Sequence, residues 1–242
     1  MKISKKFLTT SIAAVATAMG LGSSGVFADD TVSASAGVAS AYYWRGLQVS
    51  DGPQVWADVK ASAAGLYGGV WASSEGFGLG PEYDIYAGYS NKVGDLGFDV
   101  GVVNYVYSSS NDSPDDGGFQ SNDPGEFADA YIGLTFMGAA LKYYRNISEA
   151  PGDTYLNLGY TISSFTFTYG TQTFSGVVNG EKEPSYQHFD VTYAYNENLS
   201  LTVGTVFDAD DEIKGEFGRS DGSTKIDTTH SKVIVAYTIP LK

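Results

Sequence analysis

The chain has 242 residues, 28 acidic side chains against 14 basic ones, a formal charge of −14 and no cysteine. Disulfide and thiolate chemistry are excluded, and so is a nucleic-acid partner, which needs clustered Lys and Arg. Glycine (30), tyrosine (18) and phenylalanine (13) far outweigh proline (7), a balance that suits packed strands.

The first 28 residues read as a secretory signal peptide. Lys2, Lys5 and Lys6 form a basic start, Phe7 to Leu21 an apolar stretch too short to span a bilayer, and Gly25-Val26-Phe27-Ala28 a cleavage site after Ala28. Removal deletes three lysines and no acid, so residues 29–242 carry a formal charge of −17. No later run of eighteen apolar residues exists, which excludes transmembrane helices. The mean hydropathy of −0.13 looks like that of a soluble protein. A membrane barrel gives the same value, because only alternate strand residues face lipid.

From residue 29 onward the pattern has a period of two. In 155–162 and 165–171, Leu156, Leu158, Tyr160, Ile162, Phe165, Phe167 and Tyr169 fall on one face. Asn157, Gly159, Thr161, Thr166, Thr168 and Gly170 fall on the other. A sheet with one apolar and one polar face meets two solvents, and lipid tolerates no open sheet edge. The alternation predicts about twelve strands. They run near 32–43, 54–62, 66–73, 82–90, 95–107, 127–137, 139–145, 154–162, 165–174, 186–195, 199–207 and 230–240.

Even-numbered strands are followed by short links: Ala63-Ala64-Gly65, Asn91-Lys92-Val93-Gly94, Gly138, Ser163-Ser164 and Asn196-Glu197-Asn198. Odd-numbered strands are followed by longer links, the longest being 108–126 and 208–229. This sorting by parity predicts a single all-β domain over 29–242: a transmembrane, antiparallel, up-and-down barrel with short periplasmic turns and long extracellular loops. Outward positions then include Phe189, Val191, Tyr193, Tyr195, Leu199, Leu201, Val203, Val233, Val235, Tyr237 and Ile239.

The same register points Asp58, Lys60, Asp84, Asp99, Asp129, Lys142, Asp190 and Lys232 into the lumen. Two readings follow. The charges line a water-filled channel that selects solutes, or they pair and plug a narrow barrel. Arg45, in Tyr42-Tyr43-Trp44-Arg45-Gly46 at the end of the first strand, reaches a solute anion or pairs with a neighbouring Asp while Gly46 permits the bend. Acids cluster in the loops at Asp112, Asp115, Asp116, Asp123 and Glu126, and at Asp208, Asp210, Asp211 and Glu212. The second cluster lacks the glycine and terminal Glu of a calcium loop, since Gly215 comes too late. His188 and His230 lie in no nucleophile motif and no zinc-ligand set, so neither enzyme activity nor a cofactor is expected.

The opening segments resemble the TorF-type putative porin family of Gram-negative bacteria. The likeness lies in 40–46 (Ser-Ala-Tyr-Tyr-Trp-Arg-Gly), Ser50-Asp51-Gly52-Pro53, 65–73, 82–89 and 94–101, and covers residues 31–107. Two departures stand out: Ala41, where an acid is common, and a C-terminus, Ile239-Pro240-Leu241-Lys242, without a terminal aromatic. The resemblance implies a small outer-membrane pore and supplies no site residues. Together these readings predict an outer-membrane porin for passive diffusion of small hydrophilic solutes. Asp58, Asp84, Asp99, Asp129 and Asp190 would favour cations, with Arg45, Lys60 and Lys142 as a counter-field. Its partners would be membrane lipid and, during insertion, the barrel-assembly machinery. The alternatives are a filled barrel acting through its loops as adhesin, receptor or envelope element, and a lipocalin-like periplasmic barrel, which the sorting of turns and loops disfavours.

Overall fold

A computed structural model describes residues 31–76, 80–108, 123–148, 152–175, 183–213 and 230–241. The leader expected at 1–28 and most of the acidic loops 108–126 and 208–229 lie outside the described residues. The strands are β1 (Thr31–Ala39), β2 (Tyr43–Trp44), β3 (Leu47–Gln48), β4 (Gln54–Ala63), β5 (Leu66–Ser73), β6 (Glu82–Val93) and β7 (Leu96–Tyr107). They continue with β8 (Ala128–Phe136), β9 (Ala139–Asn146), β10 (Thr154–Ile162), β11 (Phe165–Thr173), β12 (Ser185–Ala194), β13 (Leu199–Ala209) and β14 (Lys232–Leu241).

Twelve of these form a closed, antiparallel, up-and-down barrel. Each strand from β4 to β14 pairs with its neighbours in sequence, and β1 closes the ring by pairing with β4 on one side and β14 on the other. Closure leaves no edge strand with unpaired backbone groups, which is what lipid demands. Short turns at 64–65, 94–95, 137–138, 163–164 and 195–198 gather at one end of the barrel, the turn end. The strand ends joined by the longer links 40–53, 74–81, 108–127, 147–153, 174–184 and 210–231 lie at the other, the loop end.

The period of two survives in space. Val59, Ile132, Leu158 and Val233 face outward from different strands and are each at least half exposed. Asp84, Asp129, Asn157, His188 and Asp190 face inward and are buried. An apolar exterior around a polar interior is the inverse of a soluble barrel and matches a barrel solvated by hydrocarbon. No helix among the described residues is long and apolar enough to cross a membrane, so any crossing is by strands.

The first expected strand, 32–43, is corrected. β1 ends at Ala39, and the chain then turns into the barrel. The physical reason is that Tyr42, Tyr43 and Trp44 are consecutive large aromatics and all three are buried, which an alternating wall strand does not allow.

Candidate functional site

The chain between β1 and β4 enters the lumen as a hairpin. β2 pairs with β3 through Tyr43–Gln48 and Trp44–Leu47, and Val49 N donates to Tyr42 O at 2.8 Å at its base. Its two-residue turn is Arg45-Gly46, with φ of +46° and +86°. Both values are positive, as a type I′ turn requires. The second position suits glycine. For Arg45 the left-handed conformation is unfavourable, and it persists only because its surroundings fix it.

Those surroundings are specific. Arg45 Nη2 donates to Asp129 Oδ2 on β8 at 2.7 Å, and Nη1 donates to Gln172 Oε1 on β11 at 3.0 Å. The guanidinium carbon lies 4.3, 4.9 and 4.6 Å from the ring centroids of Trp44, Tyr144 and Tyr155. Tyr186 Oη donates to the carbonyl of Arg45 at 2.9 Å. A planar, weakly hydrated cation can accept in-plane acceptors and stacked rings together, and a lysine ammonium cannot do so in the same geometry.

A second set of contacts holds the flank of the hairpin. Tyr43 Oη donates to Asp190 Oδ1 at 2.7 Å, and His188 Nδ1 lies 3.1 Å from the same oxygen. His188 Nε2 is 2.9 Å from Tyr155 Oη, which also accepts from Asn157 Nδ2 at 3.1 Å. With Nδ1 donating to the carboxylate, the neutral ring takes the tyrosine proton at Nε2. Both ring nitrogens of His188 are thereby used, and neither is directed at a serine or threonine. Glycine at 46 and 204 makes the seat possible: a Cβ on Gly46 would overlap the His188 ring, and one on Gly204 would overlap Tyr43 Oη. The β12–β13 register shifts between Gln187 and His188, a bulge at the loop-end side of this contact.

Below the hairpin, toward the turn end, the lumen changes character. Asp58, Lys60, Tyr67, Tyr86, Asp99, Tyr131 and Lys142 face inward and are only partly buried. Tyr86 donates to Asp58 at 2.8 Å, Tyr67 donates to Asp99, and Lys142 Nζ lies 3.6 Å from Asp99 Oδ2. Lys60 sits 4.3 Å above the Tyr67 ring, and Lys142 sits 4.2 and 5.3 Å from the rings of Tyr131 and Tyr144. Tyr144 also stacks under Arg45, so one ladder of cations and aromatic rings runs from the hairpin tip toward the turn end. The opposite wall carries small or hydroxylated inward residues, among them Gly159, Thr161, Thr166, Thr168 and Thr192. Rings and charges on one side and hydroxyls on the other leave this half of the lumen polar and less completely buried than the half that holds the hairpin.

The structure thus brings the residues singled out in the sequence into three groups. Arg45, Asp129 and Asp190 hold the hairpin. Asp58, Lys60, Asp99 and Lys142 line the open half. Asp84 faces inward but is fully buried beside Glu82, away from solvent. Lys232 lies at the loop end of β14, half-buried. Of the loop acids, Asp112, Asp115 and Asp116 lie outside the described residues, while Asp208 and Asp210 hold neighbouring strands through Gln187 and Ser185. Sequence reasoning missed Tyr43, Tyr105, Tyr155, Gln172 and Tyr186, whose roles exist only because the hairpin enters the lumen. The available signal was Arg45-Gly46, which has the X-Gly form of the barrel's own turns Ala64-Gly65 and Met137-Gly138.

A family model matches residues 23–236. The chain belongs to the family described as a bacterial protein of unknown function, Gcw_chp. That name differs from the TorF-type porin name suggested by the opening segments. No curated protein sequence matches this Gcw_chp chain. Among solved structures it is similar to a KdgM porin at 12% identity and TM-score 0.48, covering 88% of this chain and 100% of that one. It is also similar to OccK5 (OpdH) of Pseudomonas aeruginosa, at 14% identity and TM-score 0.38, covering 85% of this chain and 63% of that one. Outer membrane phospholipase A from Escherichia coli matches at 10% identity and TM-score 0.38, covering 89% and 98%. These are likenesses of barrel form; the architecture itself rests on the strand pairing.

Proposed function

We propose that this chain is an outer-membrane channel for small hydrophilic solutes, with its loop-end mouth closed by the hairpin 43–48. The observation that carries the reading is the contrast between the two halves of the lumen. The turn-end half is polar, charged and only partly buried, whereas the loop-end half is filled by a two-strand insert held through a few polar contacts. A barrel filled only for stability needs no solvated half lined by Asp58, Lys60, Asp99 and Lys142. The basic and apolar start of the sequence supports export, and the apolar belt supports insertion into the outer membrane.

Charge selection follows from the same residues. Asp58 and Asp99 are balanced by Lys60 and Lys142 in the open half, and Asp129 and Asp190 are engaged by Arg45, Tyr43 and His188. Cation preference is therefore weak and comes from the overall acidity of the chain. A second reading, a filled barrel acting through its loops, is favoured by the aromatic cluster that the insert builds with the wall, including Tyr42, Trp44, Trp71, Tyr105 and Tyr186.

Single-channel recording of refolded residues 29–242 in a planar bilayer under a salt gradient separates the two. The channel reading expects brief or small steps for the native chain and larger, longer steps for Arg45→Ala. A folded barrel without steps in either form would leave the filled-barrel reading.

A further inference from the structure

The inner wall beside the hairpin base holds a group of buried oxygens that the channel reading does not use. Glu82 and Asp84 face inward from β6, each with no exposed surface. Tyr107 Oη donates to Glu82 Oε1 at 3.2 Å, and Tyr42 hydrogen bonds to the same carboxyl. The second oxygen of Glu82 and both oxygens of Asp84 meet no donor among the described residues. One strand away Ser73 pairs with Glu82, and its hydroxyl accepts from Gln54 Nε2 at 2.9 Å. Gln54 is also wholly buried, and its Oε1 likewise meets no donor. The chain at Gly76 covers the group: a Cβ there would come within 2.7 Å of the Tyr107 ring and 3.0 Å of Glu82 Cβ.

The charge balance is unusual. The Asp84 and Glu82 carboxyls lie against one another. Among the described residues, Arg45 is paired with Asp129 and Lys142 with Asp99, and Lys60 lies over the Tyr67 ring. Two carboxylates are acceptors only, so their contact in a water-excluded site requires a positive particle between them. A shared proton would serve one oxygen of each and leave the other Asp84 oxygen and Gln54 Oε1 bare. An ion that accepts many oxygen ligands in irregular geometry serves them together, and two carboxylates neutralise a charge of +2.

We propose that Glu82, Asp84 and the side-chain carbonyl of Gln54 form a binding site for one hard divalent cation of the calcium type on the inner wall. Through Tyr42, which bonds to Glu82 at the base of the hairpin, the ion steadies the insert as well as the wall. The assignment concerns the barrel wall and stands whether or not the pore conducts.

The test uses refolded residues 29–242 stripped with EDTA and then titrated with CaCl2. Thermal unfolding and calorimetry follow the titration, and terbium is used as a luminescent probe excited through tyrosine. The expected result is one Ca2+ per chain, a rise in unfolding temperature, and terbium emission that Ca2+ displaces. Glu82→Gln combined with Asp84→Asn should abolish all three, while Asp208→Asn, near the loop end of β13, should leave them intact. No binding, or binding that survives the double substitution, overturns the proposal. If that double variant does not refold, Tyr107→Phe keeps both carboxyls and removes one sensitising hydroxyl-bearing ring. A fall in terbium emission in this variant supports the site, and unchanged emission overturns it.

Discussion

Arg45 reaches Asp129 at 2.7 Å across 84 residues of sequence, and the pair joins the tip of the inserted hairpin to the wall opposite its base. Both side chains are largely excluded from solvent, at 9% and 4% exposure. The ion pair is therefore poorly screened by salt, and removing either partner leaves an uncompensated buried charge.

Arg45→Ala is expected to cost about 3–5 kcal/mol, the usual penalty for orphaning a buried carboxylate. Urea unfolding of the refolded barrel measures it. Arg45→Lys should retain the charge and lose the stacking on Trp44, Tyr144 and Tyr155, so it should fall between the native chain and Arg45→Ala. If the lysine variant equals the native chain, the planar guanidinium is not what fixes the tip.

Two glycine substitutions probe the seat rather than the charge. Gly46→Ala meets the His188 ring and also takes a β-carbon into a left-handed conformation, which costs roughly 1–2 kcal/mol before any clash. Gly204→Ala has ordinary room in its backbone but collides with Tyr43 Oη and sits 2.5 Å from Asp190 Oδ1. Both should lower the unfolding temperature and raise protease sensitivity around residues 43–48. Cleavage confined to the loops would argue that the hairpin stays seated.

Asp99 and Asp84 should behave differently although both face inward. Asp99→Asn leaves Lys142 and Lys60 in the solvated half with less opposing charge and should shift the reversal potential toward anions. Asp84→Asn, buried beside Glu82, should leave it unchanged. Equal shifts would mean that the ion path runs past Asp84.

The assignment of faces is tested by Leu158→Arg. Leu158 is outward, half exposed and at the middle of β10, where an arginine in lipid costs about 2–4 kcal/mol. Thr166→Arg, inward on β11 near the turn end, should cost far less. Unfolding midpoints in lipid vesicles decide it, and equal losses would remove the lipid-facing assignment.

Much of this was written in the sequence as local pattern. Leu156, Leu158 and Tyr160 alternate with Asn157 and Gly159, and the pairings Leu158–Tyr169 and Leu158–Leu141 keep that alternation across three strands. The ring and its sorted connections follow from such periods and from turn residues. The inserted hairpin was harder to read, because Tyr42-Tyr43-Trp44 extends a strand-like composition past Ala39 without alternating burial. Inward orientation is also a local property, whereas burial is not. Asp58 and Asp84 share an inward face, yet a wall crowded by Tyr42 and Tyr107 excludes solvent from Asp84 alone. Asp190 is covered by Tyr43, 147 residues before it.

The position of the hairpin also constrains the order of assembly. It sits between β1 and β4, while its docking partners lie as far along the chain as His188, Asp190 and Gly204. The insert must therefore already be enclosed when β14 zips against β1, since a finished cylinder offers it only a narrow mouth. Its polar contacts to the wall span 60 to 147 residues, and those to Gln172, Tyr186 and Asp190 can form only after most of the chain is in place. Seating of a segment made among the first is then a late event that precedes closure, and a chain truncated before β12 would lack Tyr186, His188 and Asp190, which hold its turn and flank.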